Sequence, residues 1–294
     1  MKADVWRRKY DETQKAVAEL KAAIARAKPD ALLIIGDDQR ELFLDDTMPT
    51  FSIFWGKEIW DLPGPTDKLA PSHKAARWAV HGDTPEPYPV ASDIGRHLVE
   101  QMMLEGFDVS QFTEQPKGRS LGHAWTFVRR RLMGEAPVPM IPVMVNTYYP
   151  PNQPRASRCY ALGEALARAV ASYPKDMRIG VVASGGPSHF IVDEKLDRRV
   201  IEGLAKKDKA NLTSIPQEQL QSGSSEILLW IAAAGLAATE RRERTPIAAS
   251  LTDRLSSTGP IRNAREIAHG PTPNHTATSA PDRTLIVRRT PSDP

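Results

Sequence analysis

Three short aliphatic runs constrain the fold of this chain more than any other feature. They read ALLIIGDD from residue 31, MIPVMVNTYY from residue 140 and RIGVVASGG from residue 178. Each has the length of a strand and ends in turn-forming residues. Segments of helical character alternate with them: DETQKAVAELKAAIARAKPD, SDIGRHLVEQMMLEGFDVS, SRCYALGEALARAVASYP and SSEILLWIAAAGLAA. This pattern predicts an α/β fold, a single domain with a central largely parallel or mixed sheet flanked by helices.

In such folds the functional side chains collect just beyond the carboxyl ends of the strands. Three segments of this chain fall there, namely GDDQRE, NTYYPPNQP and SGGPSH. Positive φ angles are available to Gly185 and Gly186 in the last segment, and both let a backbone approach a ligand closely. We therefore expect a site built from these turns.

The end of the chain differs in composition from the rest. All of the Trp, Tyr and Phe residues precede Glu240, and the remainder is rich in Pro, Ser, Thr and Arg. Such a segment buries too little apolar area to offset the entropy of ordering it. We predict a folded domain over residues 1–239 and a mostly disordered tail over 240–294.

The net charge of the chain arises in this tail. The tail carries nine arginines and six acidic residues, which gives the formal charge of +3. The body is therefore neutral and gives no electrostatic reason to bind nucleic acid.

Neither a membrane span nor a disulfide framework is predicted. The longest apolar run, ILLWIAAAGLAA, is shorter than the roughly 18 residues that a membrane helix needs, and the start MKADVWRRKY lacks a secretory apolar region. Cys159 is the single cysteine, so no intrachain disulfide can form. These features fit a cytoplasmic protein without a membrane partner.

An acidic cluster follows the first aliphatic run: Asp37, Asp38, Glu41, Asp45 and Asp46. Its functional interpretation is an oxygen-ligand metal site or a general acid and base, and this is the basis for a weaker hypothesis of a Mg²⁺-dependent hydrolase. The structural interpretation is helix capping within a solvated acidic loop.

Three further residues are candidates on local grounds. His189 is either a proton-transfer group or a hydrogen-bonded loop histidine. His123 begins a predicted helix and lies either in a pocket or near a helix cap. Glu226 opens the apolar EILLWIAAAG segment, where a first-turn carboxylate is favoured by the helix dipole.

The remaining histidines carry no local metal motif. His73, His81 and His97 have the pattern of surface or helix-face residues, whereas His269 and His275 lie in the predicted tail. No HxH, HExxH or CxxC spacing occurs in the sequence.

Taken together, six stretches resemble the class III extradiol ring-cleaving dioxygenases, in the family that includes the catalytic β chain of protocatechuate dioxygenase. They span about Pro29 to Gly235 and read PDALLIIGDDQRELFLDDTMPTFSI, DIGRHLVEQMMLEGFDVS, GHAWTFVRRRLM, IPVMVNTYYPPNQPRASRCYALGEALARAV, GVVASGGPSHFIVDEKLDRRVI and SGSSEILLWIAAAG. The resemblance implies cleavage of a catechol-type aromatic with O₂ beside its two hydroxyl-bearing carbons. It also implies Fe(II) held by two histidines and one glutamate.

The resemblance assigns roles residue by residue. SGGPSH gives the acid/base histidine as His189, SGSSEILLW gives the glutamate ligand as Glu226, and GHAWT gives His123 as an active-site histidine facing substrate or oxygen. Family members form dimers or pair with a small companion chain, so we expect a homodimer or such a pairing.

Two expected iron ligands are not found. The second histidine ligand aligns with Gln39, whose alternative interpretation is a loop hydrogen-bonding residue, and no histidine precedes His73 where the first ligand is expected. A late start together with a shifted reading frame near residue 238 would explain the missing ligand and the unusual tail. A non-catalytic homologue acting as a binding or partner subunit is therefore the alternative to an active dioxygenase.

Overall fold

Within residues 3–67, 69–238 and the backbone of Ile286–Arg289, which this computed structural model describes, six strands form a mixed central sheet. Across the sheet they are β5 (Ser110–Phe112), β2 (Phe51–Phe54), β6 (Met140–Val145), β1 (Ala31–Gly36), β7 (Arg178–Ser184) and β8 (Ile286–Arg289). The central strand β1 pairs in parallel with β6 and β7. The β2–β6 and β7–β8 pairs are antiparallel, and β2 pairs in parallel with β5. The predicted α/β fold with a mixed sheet is confirmed.

Helices cover both faces of this sheet. They are α1 (Ala3–Ala27), α2 (Pro71–Ala76), α3 (Ser92–Leu104), α4 (His123–Phe127), α5 (Ala156–Ala171), α6 (Glu194–Lys206), α7 (Lys209–Thr213) and α8 (Ile227–Ala238). A separate antiparallel hairpin is formed by β3 (Glu58–Asp61) and β4 (Glu86–Pro89).

The burial of β1 explains its uninterrupted apolar sequence. All six of its residues are buried. Because side chains alternate along a strand, Leu33 and Ile35 join the core that contains α3, α5 and α8, whereas Leu32 and Ile34 join the core that contains α1 and α4. Each face needs apolar residues, so the run cannot alternate with polar ones.

Two glycines bring helices α5 and α8 into close backbone contact. A Cβ atom on Gly163 would overlap the backbone carbonyl oxygen of Ala232, and one on Gly235 would overlap that of Tyr160. Helix α8 is apolar around nearly its whole circumference and is almost entirely buried. The residues at these two positions therefore set how closely α8 lies against α5.

The structure confirms the three predicted strands as β1, β6 and β7, and the predicted helices correspond to α1, α3, α5 and α8. Within residues 3–67 and 69–238, no helix is both long enough and apolar enough to cross a membrane. The predicted tail, with His269 and His275, lies outside the described residues apart from the backbone of β8.

A buried carboxylate lies at the end of strand β3 in the β3–β4 hairpin. Asp61 is fully buried and accepts hydrogen bonds from the Gly82 N–H (3.0 Å), the Tyr88 hydroxyl (3.4 Å) and the Ser120 hydroxyl (3.4 Å). His81 Nδ1 lies 2.7 Å from Asp61 Oδ1. His81 is therefore half-buried and bonded to the hairpin, whereas the sequence pattern predicted a surface or helix-face residue.

We expect Asp61→Asn to destabilise the protein at pH 7 by about 2–3 kcal/mol, the usual contribution of charge-assisted hydrogen bonds. Burial alone would raise the pKa of Asp61, but the hydrogen bonds from His81 and Gly82 outweigh it and hold that pKa below 3.8. A lowered folded pKa gives stability that is present above the unfolded pKa and is lost as the pH falls through the folded one. Thermal melting between pH 2 and pH 7 should therefore show a steeper loss below about pH 4 in the wild type than in the variant.

The matched control is Asp108→Asn, which changes an exposed aspartate. It should melt like the wild type at every pH. Equal melting temperatures for Asp61→Asn and the wild type at pH 7 would contradict a stabilising role for this carboxylate.

Candidate active site

The carboxyl ends of β1, β6 and β7 lie side by side, because these three strands run in the same direction. The turns that follow them are residues 37–41, 146–149 and 185–189. Two further elements reach the same edge, since Glu226 contacts the turn after β7 and His123 contacts the turn after β1. Polar side chains from five parts of the chain thus meet at this edge of the sheet.

Glu226 is the central acceptor of this cluster, at only 6% exposure. Its Oε2 accepts the Gly186 N–H at 2.7 Å, and its Oε1 lies 3.1 Å from His189 Nε2. The Gln39 amide nitrogen (3.1 Å) and the Tyr148 hydroxyl (3.4 Å) also donate to Oε1. Glu226 ends a 3₁₀ turn before α8, and its partners come from the turns after β1, β6 and β7. Interaction with the helix dipole alone therefore does not explain the position of this carboxylate.

His189 is held in a defined orientation. Its Nδ1 lies 2.8 Å from the Pro187 carbonyl oxygen, which only accepts, so Nδ1 carries the hydrogen and Nε2 faces Glu226. The hydrogen bond with Glu226 raises the pKa of His189 to about 8, although burial opposes this. Gly223 lies against the ring, where a Cβ would come within 2.7 Å of His189 Cδ2.

Short contacts, and not positive φ angles, explain the glycines of SGGPSH. Among the described glycines with positive φ, neither Gly185 nor Gly186 occurs. A Cβ on Gly185 would lie 2.7 Å from Leu229 Cδ1, and one on Gly186 would lie 3.1 Å from His189 Nδ1. These contacts are with neighbouring side chains, so close approach to a ligand stays a prediction, and the conformational part is not used.

Gln39 joins two carboxylates. Its Nε2 donates to Asp37 Oδ2 at 3.2 Å and to Glu226 Oε1 at 3.1 Å. Asp37 is 1% exposed; this burial raises its pKa to about 7, and the charge of Glu226 adds to the increase. Gln39 is therefore a hydrogen-bonding residue, and it bonds across the pocket as well as within its own loop.

His123 begins α4, as predicted, and is anchored by Glu41. Both its backbone N–H (2.9 Å) and its Nδ1 (2.8 Å) contact Glu41 Oε1. Burial disfavours a charge on His123, but the hydrogen bond and charge of Glu41 outweigh it and raise the pKa of His123 to about 9. The charges of Asp37 and Glu226 contribute to this increase.

The acidic cluster of the sequence divides into separate roles. Asp38 accepts the Leu42 and Phe43 N–H groups at 2.8 and 3.0 Å and stabilises the turn, and burial raises its pKa to about 6. Asp45 and Asp46 are exposed and pair with arginines instead. Among the five acids, only Asp37 and Glu41 contact the Gln39 or His123 side chain, which removes the basis for a hydrolase centre built on all five.

Three residues in the turns of this cluster were not singled out from the sequence: Arg40, Tyr148 and Tyr149. The Arg40 guanidinium lies 4.9 Å from the centre of the Tyr149 ring, and Tyr148 donates to Glu226. The tyrosines belong to the NTYYPPNQP turn, whose position after a predicted strand was the available signal. The exposed His73 lies on α2, and His97 bonds to α5 and the residue that follows it.

Residues 4–252 match the family described as the catalytic LigB subunit of aromatic ring-opening dioxygenase. Among curated proteins, gallate dioxygenase of Pseudomonas putida is 28% identical over 193 residues, covering 59% of this chain and 55% of that protein. The 2,3-dihydroxyphenylpropionate/2,3-dihydroxicinnamic acid 1,2-dioxygenase of Comamonas testosteroni is 26% identical over 223 residues, covering 76% and 61%. The chain thus spans little more than half the length of these relatives.

Proposed function

Because the chain belongs to the LigB family of catalytic subunits of aromatic ring-opening dioxygenases, we propose that its pocket takes a catechol-type aromatic diol and opens the ring with O₂ by extradiol cleavage. The names of the gallate and 2,3-dihydroxyphenylpropionate dioxygenases support this substrate class, since each relative is named for a ring that carries neighbouring hydroxyl groups. The observation that carries the proposal is the contact of His189 with Glu226, at 3.1 Å, within the cluster at the carboxyl ends of β1, β6 and β7.

In this proposal His189 moves a proton of the diol. Above its pKa of about 8 the imidazole is neutral, and its Nε2 then accepts the hydrogen of one hydroxyl group while Nδ1 keeps its hydrogen bond to the Pro187 carbonyl oxygen. The negative charge of Glu226 stabilises the imidazolium that results. His123 is proposed to face the bound ring or O₂ as a second donor, with Glu41 fixing its orientation.

The residues present do not fit the iron centre of the family. That centre needs two histidines and one carboxylate, and of these Glu226 is present while Gln39 occupies one histidine position. In the described part of the chain, no three His, Cys, Asp or Glu side chains are grouped so as to hold a metal ion. Ring opening by this chain therefore requires a ligand set other than the one in the family, and we derive no step through iron.

The second candidate function is binding of the diol without turnover. The Gln39 amide favours it, because this amide bonds to Glu226 and Asp37 at the position of a ligand histidine. A non-catalytic binding or partner subunit would keep the pocket and the hydrogen-bonding residues.

Oxygen uptake with a catechol panel separates the two candidates. The purified chain would be incubated anaerobically with saturating Fe(II), desalted, analysed for iron and then supplied with O₂ and each diol. The proposed enzyme consumes O₂ and forms ring-opened product in equal molar amounts. Calorimetric binding of a diol without O₂ uptake would instead favour the non-catalytic role.

An oligomeric partner and a cytoplasmic location remain predictions. Phe190 and Ile191, directly after His189, are 78% and 84% exposed, which supports a partner surface at the rim of the pocket. The single cysteine supports a reducing compartment.

A further inference from the structure

The Gln39 amide stands between two acidic groups that come from distant parts of the chain. Asp37 follows β1 and Glu226 precedes α8, and the two residues of the Gln39–Glu226 bond are 187 positions apart. The Glu226 carboxylate accepts hydrogen bonds, so the amide atom that faces it must be the nitrogen, and the same nitrogen reaches Asp37 Oδ2. Each of its two hydrogens is used, one on Asp37 and one on Glu226.

This arrangement competes with a metal ion. A cation at the same position would need the lone pairs of Asp37 Oδ2 and Glu226 Oε1, which the amide hydrogens already engage. It would also face the positive end of the N–H dipoles. A metal ion can therefore use these two oxygens only after the Gln39 amide has left them.

The same arrangement leaves the amide oxygen available to a ligand. Within residues 3–67 and 69–238, Gln39 Oε1 has no hydrogen-bond partner, and the side chain is only partly buried. A diol carries two hydroxyl donors on neighbouring carbons. One can donate to Gln39 Oε1 and the other to Glu226 Oε2, which within the described residues accepts only the Gly186 N–H.

We propose that the Gln39 amide takes the bridging place of a metal ion in this chain, and that the pocket binds an aromatic 1,2-diol by hydrogen bonds without Fe(II). The ligand class rests on the proposed function. The mode of binding goes beyond it, because diol binding then precedes any metal-dependent step and does not require one.

Anaerobic calorimetry with 1,2-dihydroxybenzene tests this mode of binding. In excess EDTA the wild type should bind the diol with a Kd within about threefold of its value after Fe(II) loading. The 1,3-isomer, whose hydroxyls are farther apart, should bind about tenfold more weakly. Gln39→Ala should weaken binding of the 1,2-isomer by a similar factor, whereas Gln101→Ala on α3 should leave it unchanged.

Metal content gives an independent readout. After Fe(II) loading and desalting, Gln39→His should retain more iron than the wild type, because an imidazole nitrogen can ligate iron whereas the amide N–H groups exclude it. Melting temperatures of all variants establish that each is folded, and the wild-type titrations in EDTA and Fe(II) do not depend on any variant.

A wild type that retains stoichiometric iron and binds the diol only when loaded would overturn the inference while leaving the proposed function intact. Absence of diol binding under both conditions would overturn the inference and the proposed function together. If the chain binds the diol in EDTA but takes up no O₂ after Fe(II) loading, the inference is supported and ring opening by this chain is contradicted.

Discussion

His189→Phe is expected to lower diol turnover by about 10²–10⁴-fold, the usual contribution of a positioned acid/base group. Phenylalanine keeps the size of the ring and removes Nε2, the atom that faces Glu226. The hydrogen bond from Nδ1 to the Pro187 carbonyl is lost too, but Pro187 is only partly buried, so water can replace the donor. Turnover would be measured as O₂ uptake with the best diol of the panel.

Two variants establish that the effect comes from proton transfer. His189→Gln retains an amide donor for Glu226 but cannot take up a proton near neutral pH, so it should be as inactive as the phenylalanine variant. His73→Phe removes an exposed histidine on α2 and should turn over like the wild type. Turnover of His189→Gln near the wild-type rate would rule out the acid/base role.

Gly163→Ala is expected to be among the most destabilising single-methyl additions in this chain. The new Cβ would overlap the Ala232 carbonyl and lie 2.6 Å from the Leu236 backbone nitrogen, so a helix backbone and not a flexible side chain would have to move. We expect a loss of about 3 kcal/mol, at the upper end of the overpacking range. For a domain of this size that corresponds to a melting temperature about 6–12 °C lower.

The control for this substitution is Gly64→Ala, where a Cβ would meet no atom within 4 Å. It should change the free energy of unfolding by less than about 0.5 kcal/mol. Alanine is favoured over glycine in a helix by about 1 kcal/mol. A Gly163→Ala variant more stable than the wild type would therefore contradict the prediction, because α5 and α8 would then have separated enough to accommodate the methyl group.

The sequence alone predicts the central strands because burial on both faces requires an uninterrupted apolar run. Leu32 to Ile35 are apolar without interruption, which requires cover on both faces, and the turns after β1, β6 and β7 therefore share one edge. The edge strand β5 has three residues, two of them exposed, and leaves no comparable apolar pattern. Short edge strands depend on their neighbours for pairing, so local sequence does not reveal them.

The individual contacts of the site could not be predicted in the same way. Local sequence suggests that Gln39 bonds within its own loop, but not that its amide reaches Glu226. Likewise, Glu41 belongs to an acidic run, and only the fold brings it 2.8 Å from His123 Nδ1. Family resemblance supplied His189 and Glu226 as a pair, whereas the bonds of Gln39 to two acids depend on side-chain geometry.

The 187-residue separation of Gln39 and Glu226 has a consequence for synthesis of the protein. At about 5–20 residues per second, a ribosome needs roughly 10–40 s to make the chain between them. During that time β1 and its acidic turn emerge without α8, and Asp37 has no Glu226 nearby. The pocket is thus assembled in one of the last folding events of the domain, and a nascent chain that stalls before α8 carries an unfilled apolar groove that chaperones would recognise.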